Sequence, residues 1–322
     1  MPCATLLMCV KGHSKLTMNN SFDLVVIGDT NLDLVLKVER FPGADDEVEA
    51  GDVILSAGGD AANTAVQASR LGLRTLLISS IGADNNGKWV STAMQSTGVD
   101  LSTLQVIEGL STGLVISEVT PDGQRAMIAA RGANTWLQLD ESDASLIREA
   151  RMVHICDPQP QIVNTLPGLI QASSVFISLD PGSIGAKKGL DYLLPLLRIS
   201  RCLFVNRNEL YLLTQETDPL QAAQTLLTYG PDTIFVKCGA EGCCIITKKR
   251  QLSIPAFQVR SIDSTGAGDA FNAAALFALD HAMPIEEAGR FANAVGAMTT
   301  LGFGAQTSQP DLAQVQEFLA GK

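Results

Sequence analysis

Short runs of β-branched and aliphatic residues recur along the chain, each stopped by a glycine, a proline or a charge and followed by residues with helical spacing. Asp23-Leu24-Val25-Val26-Ile27-Gly28 is the first such run, and its lack of alternation predicts a strand buried on both faces. Further strands are expected at Thr75 to Ile81, Met152 to Cys156, Val175 to Leu179, Cys202 to Val205 and Thr233 to Val236. Cys243 to Ile246 follows a glycine turn as another. Helical segments separate these runs: an alanine-rich one ending at Gly72, one over about Asn86 to Thr97, and one that begins near Gly268 with Phe271, Ala275 and Ala278 on its apolar side. Repeated strand–helix units of this kind predict an α/β fold with a parallel sheet covered on both faces.

Two insertions break the alternation. Leu34 to Val38 and Asp52 to Leu55 are strand-like pieces on either side of a Pro42-Gly43 turn signal. Thr112 to Val119 and Gln124 to Ala130, joined by Thr120-Pro121-Asp122-Gly123, read as a hairpin. Strands without helices, at about 34–57 and 110–131, predict a small separate sheet.

Composition narrows the class. The chain has 322 residues, 46% hydrophobic and 18% charged, which is the balance of a globular protein with a large core. Its net charge of -11 argues against nonspecific binding to nucleic acid or anionic membranes. No apolar run approaches a membrane span. The seven cysteines show no paired C-x-x-C spacing, and a reducing cytoplasm is the expected setting. Residues 1–20 read as an N-terminal extension, with Met18 as an alternative start and the domain over 21–322.

The densest chemistry lies in Asp263-Ser264-Thr265-Gly266-Ala267-Gly268-Asp269-Ala270-Phe271. A helix start leaves about four backbone NH groups without intrahelical partners, and glycines there let an anion approach them. Asp269 would repel such an anion unless it had a proton to take. An Asp beside an NH-lined hole is what phosphoryl transfer to a hydroxyl needs. The alternative is ordinary helix architecture: an Asp in a first turn, worth about 0.3–1 kcal/mol, after a tight glycine turn.

This stretch resembles the C-terminal signature of the ribokinase family, the PfkB-type carbohydrate kinases. Gly58-Gly59-Asp60-Ala61-Ala62-Asn63 through Leu71-Gly72 is similar to that family's N-terminal signature. The resemblance spans roughly residues 23 to 320. It implies a ribokinase-like three-layer sandwich with a mainly parallel central sheet and a small β-sheet lid, the two insertions forming a lid that excludes water from the acceptor. It implies ATP and Mg²⁺ as cofactors, a sugar or sugar derivative as acceptor, and a homodimer formed through the lid.

Roles carry over residue by residue. Asp269 would be the base, and Gly266, Ala267 and Gly268 the anion hole. Asp33, Gly58, Gly59 and Asn63 would hold the acceptor. Asp60 stands where relatives that use ribose or sugar phosphates tend to have Lys, which argues against both. Arg131 precedes a Gly-Ala-Asn turn similar to the family's; by residue type it reads as a solvated arginine, and the alternative is a substrate contact. Asn206 and Glu209 match an N-x-x-E in which Glu organises Mg²⁺ through water, although the same spacing is a helix capping box. Lys237, Gly239 and Gly242 align with the nucleotide-binding T-x-G-x-x-G, with Lys in place of Thr, and Asn293 would be a further ATP contact. Asp263, Thr265, Thr299, Gly304 and Ser308 are candidates for a K⁺ site.

His154 lies in an apolar strand and reads as a core histidine. Asp157 and Asp180 stand at strand ends, where open α/β sheets bind ligands. No P-loop or protein-kinase motif is present. The other functional readings are a nucleoside kinase of the same family, which the 5% aromatic content mildly disfavours, and a noncatalytic sugar or nucleotide sensor.

Overall fold

A computed structural model describes residues 22–122, 124–171 and 173–321. The expected extension over 1–20 and Gly123 of the expected hairpin turn lie outside them. In chain order the strands are β1 (Leu24–Ile27), β2 (Asn31–Val38), β3 (Ala50–Gly58), β4 (Thr75–Ile78), β5 (Ser80–Gly82), β6 (Gln105–Ile107), β7 (Gly113–Val119), β8 (Arg125–Ala130), β9 (Met152–Cys156), β10 (Phe176–Asp180), β11 (Cys202–Asn206), β12 (Thr233–Lys237), β13 (Cys243–Thr247) and β14 (Gln251–Ile254). The α-helices are α1 (Asp60–Arg70), α2 (Asn85–Met94), α3 (Glu141–Glu149), α4 (Pro160–Leu169), α5 (Gly182–Lys187), α6 (Leu190–Leu197), α7 (Arg207–Thr214), α8 (Pro219–Leu227), α9 (Ala267–Asp280), α10 (Ile285–Thr299) and α11 (Leu312–Ala320).

The unalternated runs become the core of one sheet, ordered β14-β13-β12-β11-β10-β9-β1-β4. From β12 to β4 every pairing is parallel, and β13 and β14 close the other edge antiparallel. Successive residues of β1 show why these strands need apolar side chains on both faces. Leu24 and Val26 pack with α1, α9 and α10, whereas Val25 and Ile27 pack with α3, α4 and α6. The result is three layers, helix on sheet on helix.

The two insertions pair as β3-β2-β7-β8, a second sheet in which only the β2–β7 pairing is parallel. It is tied to the chain's C-terminal part: Arg125 of β8 donates to Thr265 Oγ1 at 2.9 Å, and the Lys37 ammonium sits 4.5 Å from the centre of the Phe303 ring.

Three sequence expectations change in detail. The strand expected over Thr75 to Ile81 leaves the central sheet after Ile78, because Ser79 and Ser80 bond Thr30 and the Ala133 carbonyl at 2.7 and 3.0 Å. The continuation, β5, pairs instead with β6. The helix expected to reach Thr97 stops at Met94 and ends in a 3₁₀ turn before Gly98, whose φ is 80°. β14, not foreseen, is a polar edge strand beside β13.

This topology sets the site. Asp29 just beyond β1, Asp157 beyond β9, Asp180 ending β10, Asn206 ending β11 and Lys237 ending β12 all lie at the carboxyl edge of the parallel strands, where such sheets bind ligands.

Candidate active site

Two glycines at this edge do different work. Gly266 caps α9 with φ 75°, and a Cβ there would lie 2.6 Å from the Ala305 carbonyl oxygen, so only glycine allows the turn. At Gly268 a Cβ would meet nothing closer than Lys237 Nζ, at 3.5 Å. The Ala267 NH is turned back to the Ser264 carbonyl at 3.3 Å. Among the described residues the NH groups of Gly266, Gly268 and Asp269 find no acceptor. An anion at this helix start would meet those three donors and the positive end of α9.

Asp269 stands in the first turn of α9, half-buried. Its Oδ2 accepts from Asn63 Nδ2 at 2.9 Å, and Asn63 Oδ1 in turn accepts from Gln306 Nε2 at 3.1 Å. Asn63, expected as an acceptor ligand, thus orients the Asp269 carboxylate, and Gln306 fixes the amide's direction. Sequence reading missed Gln306, which lies in a loop whose only signal is its composition. Burial pushes the Asp269 carboxyl up to about 7, against the opposing effects of Asn63 and Lys237.

Asp33 projects from β2 towards the same point. It is 7% exposed, its Oδ1 has no hydrogen-bond partner, and burial followed by repulsion from Asp29 and Asp269 raises it to about 8. Gly58, on the neighbouring strand, must be glycine for this to occur: a Cβ there would lie 2.0 Å from Asp33 Oδ2. Gly59 is the N-cap of α1, and Asp60, the first residue of that helix, is pushed well above the usual range by burial and by Asp269 and Asp29.

Arg131 is not the solvated arginine its residue type suggests. Its Nη2 pairs with Asp157, its side chain is 18% exposed, and its Nη1 is buried without a partner. Asp157 has φ 40°, a conformation few non-glycine residues adopt without a reason. Burial and Asp29 hold its carboxyl up at about 6 despite the arginine. Asn134, from the Gly-Ala-Asn turn, brackets Thr30 from both sides, accepting from its NH at 3.1 Å and donating to its carbonyl at 3.2 Å. That clamp fixes the Asp29–Asn31 loop.

At the α9 start lies a cavity of about 400 Å³ lined by Lys237, Gly239, Gly242, Phe257, Gly268 and Asn293 among others. Its lining is mostly apolar, suited to a flat heterocycle. Asn293 Nδ2 donates to the Ile254 and Pro255 carbonyls at 3.0 and 3.1 Å, so it holds β14 against α10 while facing the cavity.

Asn206 and Glu209 realise the capping box: Asn206 Oδ1 accepts from the Glu209 NH at 2.8 Å and Glu209 Oε2 from the Asn206 NH at 2.9 Å. Glu209 Oε1 accepts from Ser183 Oγ at 3.3 Å. Burial and then Asp180 push Glu209 up, and a cation would relieve that. Asp180, a strand-end residue by sequence, does more. It is buried, and Lys237, Asn272 and the Gly182 NH hold it below the usual carboxylate range against the cost of burial. Asp180 and Glu209 therefore fit a hydrated Mg²⁺ that also takes phosphate oxygens. Among the described residues no three acidic, His or Cys side chains form a metal cluster by themselves.

The K⁺ candidates divide. Asp263 Oδ1 accepts from the Thr265 NH and hydroxyl at 2.9 and 2.7 Å, and Oδ2 from the Gly304 NH at 3.0 Å, with Arg125 at 3.7 Å. Thr299 Oγ1 donates to the Val295 carbonyl. No hydrogen bond joins Thr299 or Ser308 to Asp263 among the described residues. A monovalent cation at this loop would rest on carbonyl oxygens, the Asp263 carboxylate being already satisfied. His154 is a core residue as expected: it is fully buried, bonded to Ser178 at 2.8 Å, and held neutral by burial, which lowers it to about 4.

An aspartate beside unpaired NH groups at a helix start, a mostly apolar strand-end cavity and a second, smaller sheet are what a small-molecule kinase would need. Residues 21–312 match the family described as pfkB family carbohydrate kinase, and the chain belongs to that family of ATP-dependent carbohydrate kinases. It is 29% identical to a ribokinase of Haemophilus influenzae, covering 92% of this chain and 98% of that one. It is 31% identical to an ATP-dependent ribose-1-phosphate kinase of Halopiger xanaduensis, covering 91% and 96%. The solved Arabidopsis thaliana ribokinase, complexed with ribose and ATP, superposes with a TM-score of 0.84 at 27% identity, over 92% of this chain and 98% of that one. The ribokinase-like sandwich expected from sequence is the observed fold.

Proposed function

We propose that this kinase moves the terminal phosphoryl group of ATP to a hydroxyl of a neutral sugar or sugar derivative held between Asp33 and Asp269. The observation that carries the reading is the juxtaposition of Asp269 with three unpaired NH groups at the start of α9. Asp269 takes the hydroxyl proton, and the NH groups of Gly266, Gly268 and Asp269 receive the phosphoryl oxygens. ATP lies in the cavity along Gly239, Gly242 and Asn293, with Asn206 beside its phosphates. Bound Mg²⁺ would neutralise phosphate charge, and Asp180 and Glu209 are the residues that would hold it through water. Asp33, with Gly58 and Gly59 beneath it, accepts the sugar's hydroxyl protons.

Charge argues for a neutral acceptor. Asp29, Asp33, Asp60, Asp157 and Asp269 lie close enough to act on one another's carboxyls, and Arg131 is already paired with Asp157. A phosphate or carboxylate on the acceptor would raise these carboxyls further and hold Asp269 protonated, unable to take the hydroxyl proton. The five described cysteines are free thiols, which supports a reducing cytoplasm. Among the described residues no helix is long and apolar enough to cross a membrane.

The test is ADP release with Mg-ATP across pentoses, hexoses, sugar phosphates, sugar acids and nucleosides. Release that depends on one neutral acceptor class is expected. A preference for sugar phosphates would overturn the charge argument, and a preference for nucleosides would move the enzyme to the nucleoside kinases.

The lid supports a dimer. Val53 and Leu55 on β3 are 54% and 50% exposed, and Met127 and Ile128 on the edge strand β8 are 61% and 66% exposed. Adjacent residues of β8 are bare on both faces, as a strand awaiting a partner would be. Ile128→Asp should weaken dimerisation by at least about tenfold by placing a charge in an apolar contact. Light scattering across a concentration series reads this directly. A wild-type chain that stays monomeric at tens of micromolar would remove the dimer.

A further inference from the structure

Lys237 is a cation beside the start of α9, and its present contacts do not use up what it offers. Its Nζ lies 2.6 Å from Asp180 Oδ2 and 3.3 Å from Asn272 Oδ1, with the side chain 16% exposed. Asp180 does not depend on it for hydrogen bonds. Its Oδ2 also accepts from Asn272 Nδ2 at 2.7 Å, and its Oδ1 from the Gly182 NH at 2.9 Å. An ammonium has three donors, so one remains for a ligand. That donor is well placed: the same Nζ borders the nucleotide cavity and lies where a Cβ on Gly268 would be 3.5 Å away, beside the unpaired NH groups.

We infer that Lys237 is the cation for the transferred phosphoryl group, stored on Asp180 in the free protein and turned to the terminal phosphate when the nucleotide binds. The storage has a physical cause. Asp180 and Glu209 repel each other across a buried site, and Lys237 attracts both. Mg²⁺ bound with a triphosphate would supply positive charge to the two carboxylates, and the Lys237 ammonium would then be free to turn to the phosphoryl oxygens. A compact, strongly hydrated point charge on a flexible stem suits such a move better than a planar guanidinium would. Lys237 would thus be a catalytic residue in its own right, beyond the nucleotide contact expected from its motif. The inference rests on the placement of ATP proposed above.

Binding of β,γ-imido-ATP and of ADP, measured by calorimetry with and without Mg²⁺, tests it apart from turnover. Lys237→Met should lose about tenfold or more in affinity for the analogue, while ADP affinity changes less than about threefold, because only the analogue carries the terminal group. Asp180→Asn should tighten Mg²⁺-free binding of the analogue, since the competing carboxylate is gone; a purely structural ion pair predicts weaker binding or none. If Lys237→Met unfolds because Asp180 is left as an uncompensated buried charge, Asp180→Asn/Lys237→Met removes both charges and is read for the same selective loss. An analogue-to-ADP preference unchanged from wild type in the folded variant would overturn the inference while leaving the kinase reading intact. Wild-type protein that binds neither nucleotide would overturn the placement of ATP, and this role with it.

Discussion

Asp269→Asn is expected to lower turnover by about 10²- to 10⁴-fold, roughly 3–5 kcal/mol of barrier, with ATP affinity close to wild type. The substitution is isosteric and leaves the start of α9, its NH groups and its glycines in place. What it removes is the one carboxylate that Asn63 and Gln306 hold at that helix start. The pH dependence follows from the same group. Asp269 is raised to about 7 by burial, so below that pH it is protonated and cannot accept the hydroxyl proton. kcat at saturating acceptor should therefore fall about tenfold per pH unit on the acid side and level off above about 7, while kcat/KM, which also reads Asp33 of the free enzyme, should level off nearer 8. The slow residual reaction of Asp269→Asn should lack that limb. Steady-state rates from pH 5.5 to 9 for both proteins decide it: a variant that keeps the wild-type profile or the wild-type rate would remove Asp269 as the base. Gln306→Ala separates positioning from chemistry, since it should lower kcat by about tenfold and keep the limb.

How much of this was legible before the coordinates depended on the kind of interaction. The parallel sheet was readable because each of its strands is apolar on both faces, as the split of Leu24 and Val26 from Val25 and Ile27 shows. Asp269 and its helix start were readable because two glycines, an Asp and strong helix formers are contiguous. Asp180, Asn272 and Gln306 were not assigned, although they hold Lys237 and Asn63 in place. Their partners lie on distant stretches: Asp180 meets a lysine 57 residues away, and Gln306 an asparagine 243 away. No local pattern encodes such contacts. The exception is instructive, since Asp157 and Asp180 did stand out as polar residues ending apolar strands. Strand-end polarity located the site's edge but not which groups would face one another. Arg131 shows the same limit, its residue type suggesting solvent and its ion pair with Asp157 depending wholly on the fold.

The acceptor pocket yields the second large effect, in which stability and activity should move in opposite directions. Asp33 is buried in the lid, raised to about 8, and one of its oxygens has no partner. A carboxyl whose folded pKa exceeds its unfolded value stabilises the fold at low pH and loses that contribution as pH rises through the folded value. The free enzyme should therefore melt at a lower temperature at pH 8.5 than at pH 6, and Asp33→Asn should flatten that slope. At pH 8 the variant should be more stable by about 1–3 kcal/mol, as expected when an unpaired buried charge is replaced by a neutral isostere. Asn keeps the shape that Gly58 accommodates, so the lid contact survives. The same change replaces a charged acceptor of the sugar's hydroxyl protons with a neutral amide. Two such bonds at about 1.5–3 kcal/mol each put the loss in acceptor kcat/KM at about 10²- to 10⁴-fold, most of it in KM. Melting curves at the two pH values, alongside acceptor kinetics, are enough to judge it. A variant that melts lower at pH 8 and keeps its acceptor KM would make Asp33 a structural group of the lid. A variant that is more stable and binds its sugar poorly would mean that the free pocket holds an unbalanced charge which the sugar's hydroxyls compensate on binding, so that function here is maintained against the fold's own stability.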